Sequence, residues 1–184
     1  MGLFDLFSNP PGEQEQAYTQ GAATAPDALS ESSNLVAEFL CKAIGIVDRN
    51  AQKNLFYLVY ALSALYVQTC MLGAKNARIF DKANGIFLKE LYAGYDRNLI
   101  DAHFRSIRFN LDKELTKGNK GLPAFKHILK NEILEILNGA NIKNTNEADI
   151  AKAIEATLEI TFKLTCDISN PILAAGLNIS NGFK

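Results

Sequence analysis

The segment RNAQKNLFYLVYALSALYVQTCMLGAKNAR, residues 49–78, decides the fold, because it carries no charge between Lys53 and Lys75. A helix that spans a bilayer needs about 20 predominantly apolar residues, and residues 54–74 supply 21 uncharged ones. A helix that is apolar on all sides is also what a multi-helix domain buries at its centre. The segment is therefore either a membrane span or the most buried helix of a soluble protein.

The polar residues inside this segment favour the buried helix. Gln68 and Thr69 interrupt the apolar run, and Tyr66 would lie deep in a bilayer although tyrosine prefers the membrane interface. Lysines flank both ends, so no orientation in a membrane is encoded. We predict a central hydrophobic helix over about residues 48–73, capped by Asp48. A true span and a segment that is exposed only with a partner are the alternatives.

Apolar residues at helical spacing predict five further helices. Pro171 is expected to end the last of them, and no strand or internal repeat is evident in the sequence. The fold class is therefore all-α, a single compact bundle of about six helices. The five predicted helices run from Asp27 or Ser32 to Ile46, from about Lys75 to Tyr92, from Asp96 to about Leu115, from Pro123 to Gly139 and from Asn146 to about Ile168. Their apolar stripes are, in the same order, Leu35, Phe39, Ala43 and Ile46; Ile79 or Phe80, Ala83, Phe87 and Leu91; Ile100, Phe104, Ile107, Leu111 and Leu115; Phe125, Ile128, Leu129, Ile133, Ile136 and Leu137; and Ile150, Ile154, Leu158, Thr161, Phe162 and Thr165.

The first 30 residues differ in composition from the rest, being rich in Pro, Gly, Gln, Ala, Ser and Thr. They predict a flexible N-terminal arm over residues 1–30, with a linker from Ser8 to about Ala25, and a helical domain over residues 31–184. Large apolar residues at the start of the arm fall on one side of a short helix. They have three possible destinations, which are a membrane surface, a groove on a partner protein or the chain's own domain. This predicted docking segment, residues 3–7, contains Leu3, Phe4, Leu6 and Phe7.

Composition narrows the compartment and the partners. The formal net charge is -1 and the pI is about 6.1, so no global charge attracts the chain to nucleic acid. Three scattered cysteines in apolar contexts (Cys41, Cys70, Cys166) argue against disulfides and against a zinc site, and favour a reducing compartment. The opening residues lack a basic secretory n-region. We therefore expect a cytoplasmic protein, with a place at the membrane surface as the alternative, and the Asn-, Lys- and Ile-rich composition suggests a bacterial source.

Residues that carry chemistry form no recognisable catalytic or cofactor motif. The two histidines, His103 and His127, match no metal-binding pattern, and His103, next to the stripe residue Phe104, is expected at the boundary of the core. Asp101 diverges from His103 by about 200° around a helix. The carboxylate pairs Glu132/Glu135 and Glu155/Glu159 are expected on solvated faces. No nucleophile elbow, phosphate-binding loop or dinucleotide fingerprint is present. We therefore predict no catalytic residue, no metal and no cofactor.

A mild basic face on the fourth helix is the second candidate for partner binding. Arg105 and Arg108 are three residues apart and share a face away from the apolar stripe. A phosphate-rich partner would use such a face, but a solvated surface balanced by acidic residues elsewhere is the favoured explanation.

Together these patterns favour a non-enzymatic helical interaction module, an adaptor or a small subunit of a larger assembly, with protein partners. A homo-oligomer and a membrane-associated complex are both compatible with this interpretation. The first alternative is a peripheral membrane or lipid-binding protein that uses the apolar arm. The second is an enzyme of unrecognised type, for which His103 and Asp101 are the best candidates. A buried polar cluster around His103 would favour this enzyme, and an exposed His103 would argue against it.

Overall fold

The computed structural model describes residues 13–71, 74–91, 96–140, 142 and 146–181, with side chains for 25–70, 77, 80–89, 96–140, 142 and 146–169. Within these residues the chain forms an all-α bundle, as predicted, and an isolated antiparallel bridge between Ile46 and Ile142 is its only strand-like pairing. The helices are α1 (Glu13–Ile44), α2 (Arg49–Tyr66), which continues as a π-helical turn (Val67–Met71), α3 (Ala74–Leu91), α4 (Arg97–Thr116), α5 (Gly121–Gly139) and α6 (Glu147–Asn181).

The central hydrophobic helix is confirmed as α2. Its cap is the predicted one, because the Asp48 side chain accepts a hydrogen bond from the Asn50 backbone N–H at 3.0 Å. From Leu55 to Tyr66 every residue is buried, so all sides of the helix face protein. Each large apolar side chain buried in this way stabilises the fold by about 1.5–3 kcal/mol, and α2 accordingly organises the core. Among the described residues no helix is long and apolar enough to cross a membrane.

Two hydroxyl groups of α2 have hydrogen-bond partners within the core. The Tyr60 hydroxyl donates a hydrogen bond to the buried Asn84 side chain of α3. The Thr165 hydroxyl of α6 lies 3.1 Å from the Ser63 hydroxyl. These contacts show how a helix with several hydroxyl groups is buried on all sides, because a hydrogen-bonded polar group loses little on leaving water.

α1 and α6 are long neighbouring helices that run antiparallel. The end of α1 approaches the start of α6 through the Ile46–Ile142 bridge, and Ile168 packs with Ala25 and Leu29 at the other end. A row of small residues at four-residue spacing lines the buried side of α6. Each hydroxyl in this row bonds the backbone carbonyl four residues earlier, so the row is buried with its hydrogen bonds made. It consists of Ala153, Thr157, Thr161, Thr165 and Ser169.

The start and the phase of the first helix differ from the sequence prediction. The helix begins at Glu13, so the predicted linker to about Ala25, the predicted start at Asp27 or Ser32 and the domain boundary at residue 30 all fall inside it. The predicted apolar stripe is wrong at three of its four positions, since Leu35, Phe39 and Ala43 are exposed. The fourth, Ile46, is buried just beyond the end of the helix. The buried stripe lies one position further along and consists of Val36, Ala37, Leu40, Cys41 and Ile44.

The ends of two other helices also differ. α6 continues through Pro171 to Asn181, beyond the predicted end near Ile168. α5 begins at Gly121, which has a positive φ of 59°, two residues before the predicted start at Pro123. The predicted end of α5 at Gly139 is confirmed.

Candidate functional site

Two cavities flank the first turns of α2, and they differ in chemistry. The larger, which we call the apolar groove, has a volume of about 690 Å3 and lies between the end of α1 and the start of α2. This size falls in the range of pockets that hold a drug-sized ligand. The groove is lined by Asn34, Ala37, Glu38, Cys41, Lys42, Gly45, Ile46, Val47, Arg49, Gln52, Lys53 and Phe56.

The corner between α1 and α2 is what opens the groove. Gly45 has a positive φ of 69°, and the Ile46 N–H bonds the Cys41 carbonyl at 2.9 Å. This is the six-to-one hydrogen bond of a Schellman ending, for which glycine is favoured because it adopts a positive φ at no steric cost. The chain then turns, and Asp48 caps α2 three residues later. The two helices therefore diverge from a short, hydrogen-bonded corner and leave a groove between them.

The groove combines an apolar floor with a cationic edge. Its floor is made by the buried residues Ala37, Cys41, Ile46 and Phe56. Three cations and one carboxylate line the edge, which gives a local net charge of +2 in a chain whose net charge is -1. Glu38 is engaged on α1 by Lys42 at 3.3 Å and by Asn34 at 3.0 Å. The cations are Lys42, Arg49 and Lys53.

Exposed apolar side chains also occur on the neighbouring face of α1 and in the corner, and of these only Val47 lines the groove. Leu35 is 63% exposed and Phe39 is 39% exposed, one helical turn apart on α1 beside Glu38 and Lys42. Val47 in the corner is 57% exposed. We call Leu35, Phe39 and Val47 the outer patch. Leu35 and Phe39 lie outside the groove lining, and exposed apolar side chains beside a recess are typical of a docking site.

The thiol in the groove is not a nucleophile. Burial, together with the nearby carboxylate of Glu38, raises the pKa of Cys41 to about 11. A thiol with this pKa stays protonated at neutral pH, whereas reactive cysteines have lowered pKa values. Cys41 therefore contributes apolar surface to the floor.

The second cavity, which we call the polar cavity, has a volume of about 430 Å3 and lies between α2, α4 and α5. Its polar side chains bond one another. His103 Nε2 lies 3.3 Å from Asn54 Oδ1, and Glu132 accepts hydrogen bonds from the Ser106 hydroxyl and, at 2.8 Å, from Asn110. The cavity is lined by Asp48, Asn50, Ala51, Asn54, His103, Glu132, Glu135, Ile136 and Gly139.

Two predictions about these residues are wrong. His103 is not a boundary residue, because it is only 8% exposed, and Glu132 is not on a solvated face, because it is 7% exposed. A spacing signal existed for both. His103 lies three residues after Ile100 and four before Ile107, and Glu132 lies four residues after Ile128, so each falls on the inner face of its helix.

The structure does not assemble the suggested His103–Asp101 pair. Asp101 does not line the polar cavity. It forms an ion pair with Arg97, one helical turn earlier on α4, at 3.6 Å. Burial lowers the pKa of His103 to about 4, so the imidazole is neutral at pH 7. General bases work best with a pKa near the operating pH. A buried polar cluster does surround His103, as the enzyme hypothesis requires, but the histidine in it is a weak base.

The predicted partner residues lie in different places. Arg105 and Arg108 are both exposed on α4, where their face also carries Asp101 and Asp112. The face is therefore of mixed charge. The predicted docking segment lies outside the described residues, with all four of its members, Leu3, Phe4, Leu6 and Phe7.

Two further results bear on the function. Among the side chains that the structure describes, no group of three or more His, Cys, Asp or Glu residues is placed to hold a metal ion. Comparison with protein-family models, curated proteins and solved structures finds no match.

Proposed function

We propose that the chain is a non-enzymatic helical protein–protein interaction module, an adaptor or a small subunit of a larger assembly. The observation that carries this proposal is the apolar groove with its outer patch. The groove provides a recess with an apolar floor, and the patch provides exposed apolar side chains around it. Protein interfaces combine such anchoring pockets with surrounding apolar contacts that exclude water.

The charges around the groove support a partner that is both apolar and acidic. The local net charge of +2 favours an anionic group on the partner. Exposed charges of this kind act mainly on the rate and specificity of association, while the buried apolar area supplies most of the affinity. The proposed partner surface is therefore the end of α1 and the start of α2, and not the mixed-charge face of Arg105 and Arg108.

The test is affinity purification of tagged wild type and a Leu35→Ser/Phe39→Ser double variant from the source cells. Both residues are exposed, so the double variant is expected to fold normally and to lose the proteins that co-purify with wild type. Ile86→Ser is the matched control, because Ile86 is 42% exposed on α3 and outside the groove. Co-purification that is the same in all three forms would overturn the assignment of the groove.

One observation favours a second candidate, a peripheral membrane protein. Cations and exposed apolar residues share the surface around the groove, which is also the pattern of a segment that lies on an anionic bilayer. Flotation with vesicles of phosphatidylcholine and phosphatidylserine separates the two candidates. A protein module stays in the bottom fraction, whereas a membrane-binding protein floats and stops floating in the Leu35→Ser/Phe39→Ser variant.

A further inference from the structure

We propose that the apolar groove receives the segment from Leu3 to Phe7 of a second copy of this chain. The inference rests on the proposed function, because it names the partner of the same groove. It joins two features that are independent in the sequence, which are an apolar segment near the N-terminus and a cationic apolar recess about 30 residues further on.

The segment matches the groove in chemistry. Its sequence, LFDLF, contains four large apolar residues and one carboxylate, Asp5. The groove has an apolar floor and an edge with a net charge of +2. Apolar side chains that occupy the floor would bring the carboxylate to the edge, close to Arg49 and Lys53. An amphipathic segment that inserts its apolar side into a groove is a recurrent mode of peptide recognition.

The length of the chain excludes the groove of the same copy. α1 begins at Glu13 and the groove begins at Asn34, about 32 Å further along the helix at 1.5 Å per residue. Phe7 is six residues before Glu13, so a fully extended chain carries it about 21 Å at most. Cys41 on the floor is about 42 Å from the start of α1. The whole segment therefore cannot lie in its own groove.

A second copy removes this restriction. Two chains whose α1 helices run antiparallel place the start of each α1 beside the groove of the other. Each copy then donates one segment and receives one, which saturates both grooves and closes the assembly as a symmetric dimer. Because the two contacts are linked, a weak segment–groove contact gives a stronger dimer through effective concentration.

Charge reversal with complementation tests this arrangement in full-length chains. Asp5→Lys spoils the segment and leaves the groove intact, whereas Lys53→Glu spoils the groove and leaves the segment intact. We expect sedimentation equilibrium to show a dimer for wild type. Each single variant is expected to weaken dimerisation by about tenfold, because the contact occurs twice per dimer and each exposed ion pair contributes a factor of a few.

Mixing the two single variants provides the decisive measurement. In a mixed dimer the reversed segment of the Asp5→Lys chain meets the reversed groove of the Lys53→Glu chain. The unchanged segment of the second chain meets the unchanged groove of the first, so both contacts are complementary again. We expect the mixture, and the double variant alone, to dimerise about as well as wild type. Lys82→Glu, an exposed reversal on α3, is the control and leaves the dimer unchanged.

Three results would overturn the inference. They are a wild type that is monomeric at every concentration, a dimer that persists after deletion of residues 1–10, and a mixture that does not restore dimerisation. Circular dichroism spectra of all variants exclude unfolding as the cause of a lost dimer. The proposed function is judged separately, because loss of foreign partners in the Leu35→Ser/Phe39→Ser variant would support it even if the wild type is monomeric.

Discussion

The two cavities on either side of the start of α2 differ in what their polar groups already bind. In the polar cavity His103 bonds Asn54, and Glu132 accepts hydrogen bonds from two side chains of α4. The Asp48 carboxylate is engaged in the cap of α2. These groups hold three helices together, so the polar cavity is chiefly a structural joint.

The apolar groove has the opposite character. Its floor is apolar and has no hydrogen bonds to make, and next to it the outer patch leaves Leu35, Phe39 and Val47 in contact with solvent. Burial of that area by a partner would stabilise a complex by roughly 25 cal/mol for each Å2 removed from water. A cavity with titratable groups is therefore not automatically the functional one, because exposed apolar surface is the better sign of docking.

Charge strengthens this contrast. The groove is lined by three cations and one carboxylate, whereas the polar cavity is lined by three carboxylates and a histidine that is neutral at pH 7. Opposite sides of the first turns of α2 thus carry opposite charge. An acidic partner of the kind proposed would be attracted to the groove and repelled from the polar cavity.

The largest expected effect concerns the helix that both cavities share. Leu62→Asp removes a fully buried side chain of α2 and places a carboxylate in the core. Loss of a buried leucine costs about 2–5 kcal/mol and an unpaired buried charge costs about 3–5 kcal/mol more, against a total stability of about 5–15 kcal/mol. We expect no cooperative thermal transition by circular dichroism.

Leu35→Asp is the matched control for this substitution. Leu35 belongs to the outer patch and is 63% exposed, so the same chemical change is expected to alter the stability by less than about 1 kcal/mol. A Leu62→Asp chain that melts like wild type would show that α2 is not the centre of the core.

The next largest effect on stability is expected from one of the two carboxylates of α5 at the polar cavity. Glu132→Ala removes the acceptor of the Ser106 hydroxyl and the closer acceptor of the Asn110 amide, and we expect the loss of these hydrogen bonds to a carboxylate to cost about 1–3 kcal/mol in total. Glu135 is exposed, and Glu135→Ala is expected to change the stability by less than about 0.5 kcal/mol. Urea unfolding measures both. Equal values would mean that the cavity is not a structural joint.

A feature of the fold is predictable from the sequence when local residues determine it, and it is not predictable when packing between helices determines it. The uncharged run of α2 is enough to predict that this helix is buried, because an apolar helix is buried whichever neighbours surround it. Its cap is predictable too, because Asp48 bonds a backbone N–H only two residues away. The phase of α1 is different. Leu35 and Phe39 form one stripe and Val36 and Leu40 form another one position along, so the sequence offers two equivalent faces. Packing between α1 and its neighbours selects the second.

The sequence does not predict the groove, for the same reason. Its local signal is the glycine of AIGIVD, which ends α1 at Gly45, but a corner shows where a helix stops and not which residues line the space beside it. Residues 13–30 have the composition of a linker because they contain few large apolar residues. Small residues also permit close packing, and Ala25 is buried near Tyr60 in the second part of the core.

A smaller effect follows from the pH dependence of the polar cavity. The pKa of His103 is about 4 in the folded state and near 6.5 when unfolded, so between these values the unfolded chain binds more protons. Stability therefore falls as pH falls, by about 2 kcal/mol between pH 6.5 and pH 5. Urea unfolding in wild type and His103→Gln measures this, and the variant is expected to lose the slope.

The titration of Glu114 lies below the pH range in which His103 acts. Hydrogen bonds from Lys117 and Asn119 lower the pKa of Glu114 to about 2, so the stability it provides is lost only as pH falls from about 4.5 to about 2. A slope between pH 6.5 and pH 5 that survives in His103→Gln would assign the effect to another group.

The smallest effect on stability is expected at the groove. It allows a direct comparison of the two cavities, because stability and dimerisation can be measured in the same variants. Lys53 is exposed at the edge of the groove, so Lys53→Glu is expected to change the free energy of unfolding by less than about 0.5 kcal/mol. The same substitution is expected to weaken dimerisation by about tenfold, because the exposed ion pair it reverses occurs twice in the proposed dimer. For Glu132→Ala we expect the opposite pattern, which is a larger loss of stability than in Lys53→Glu and no direct effect on dimerisation while the chain is folded. Urea unfolding and sedimentation equilibrium on the same samples measure both quantities. If Lys53→Glu destabilises the fold as much as Glu132→Ala does, the cations of the groove are structural, and the separation of a structural joint from a docking surface fails.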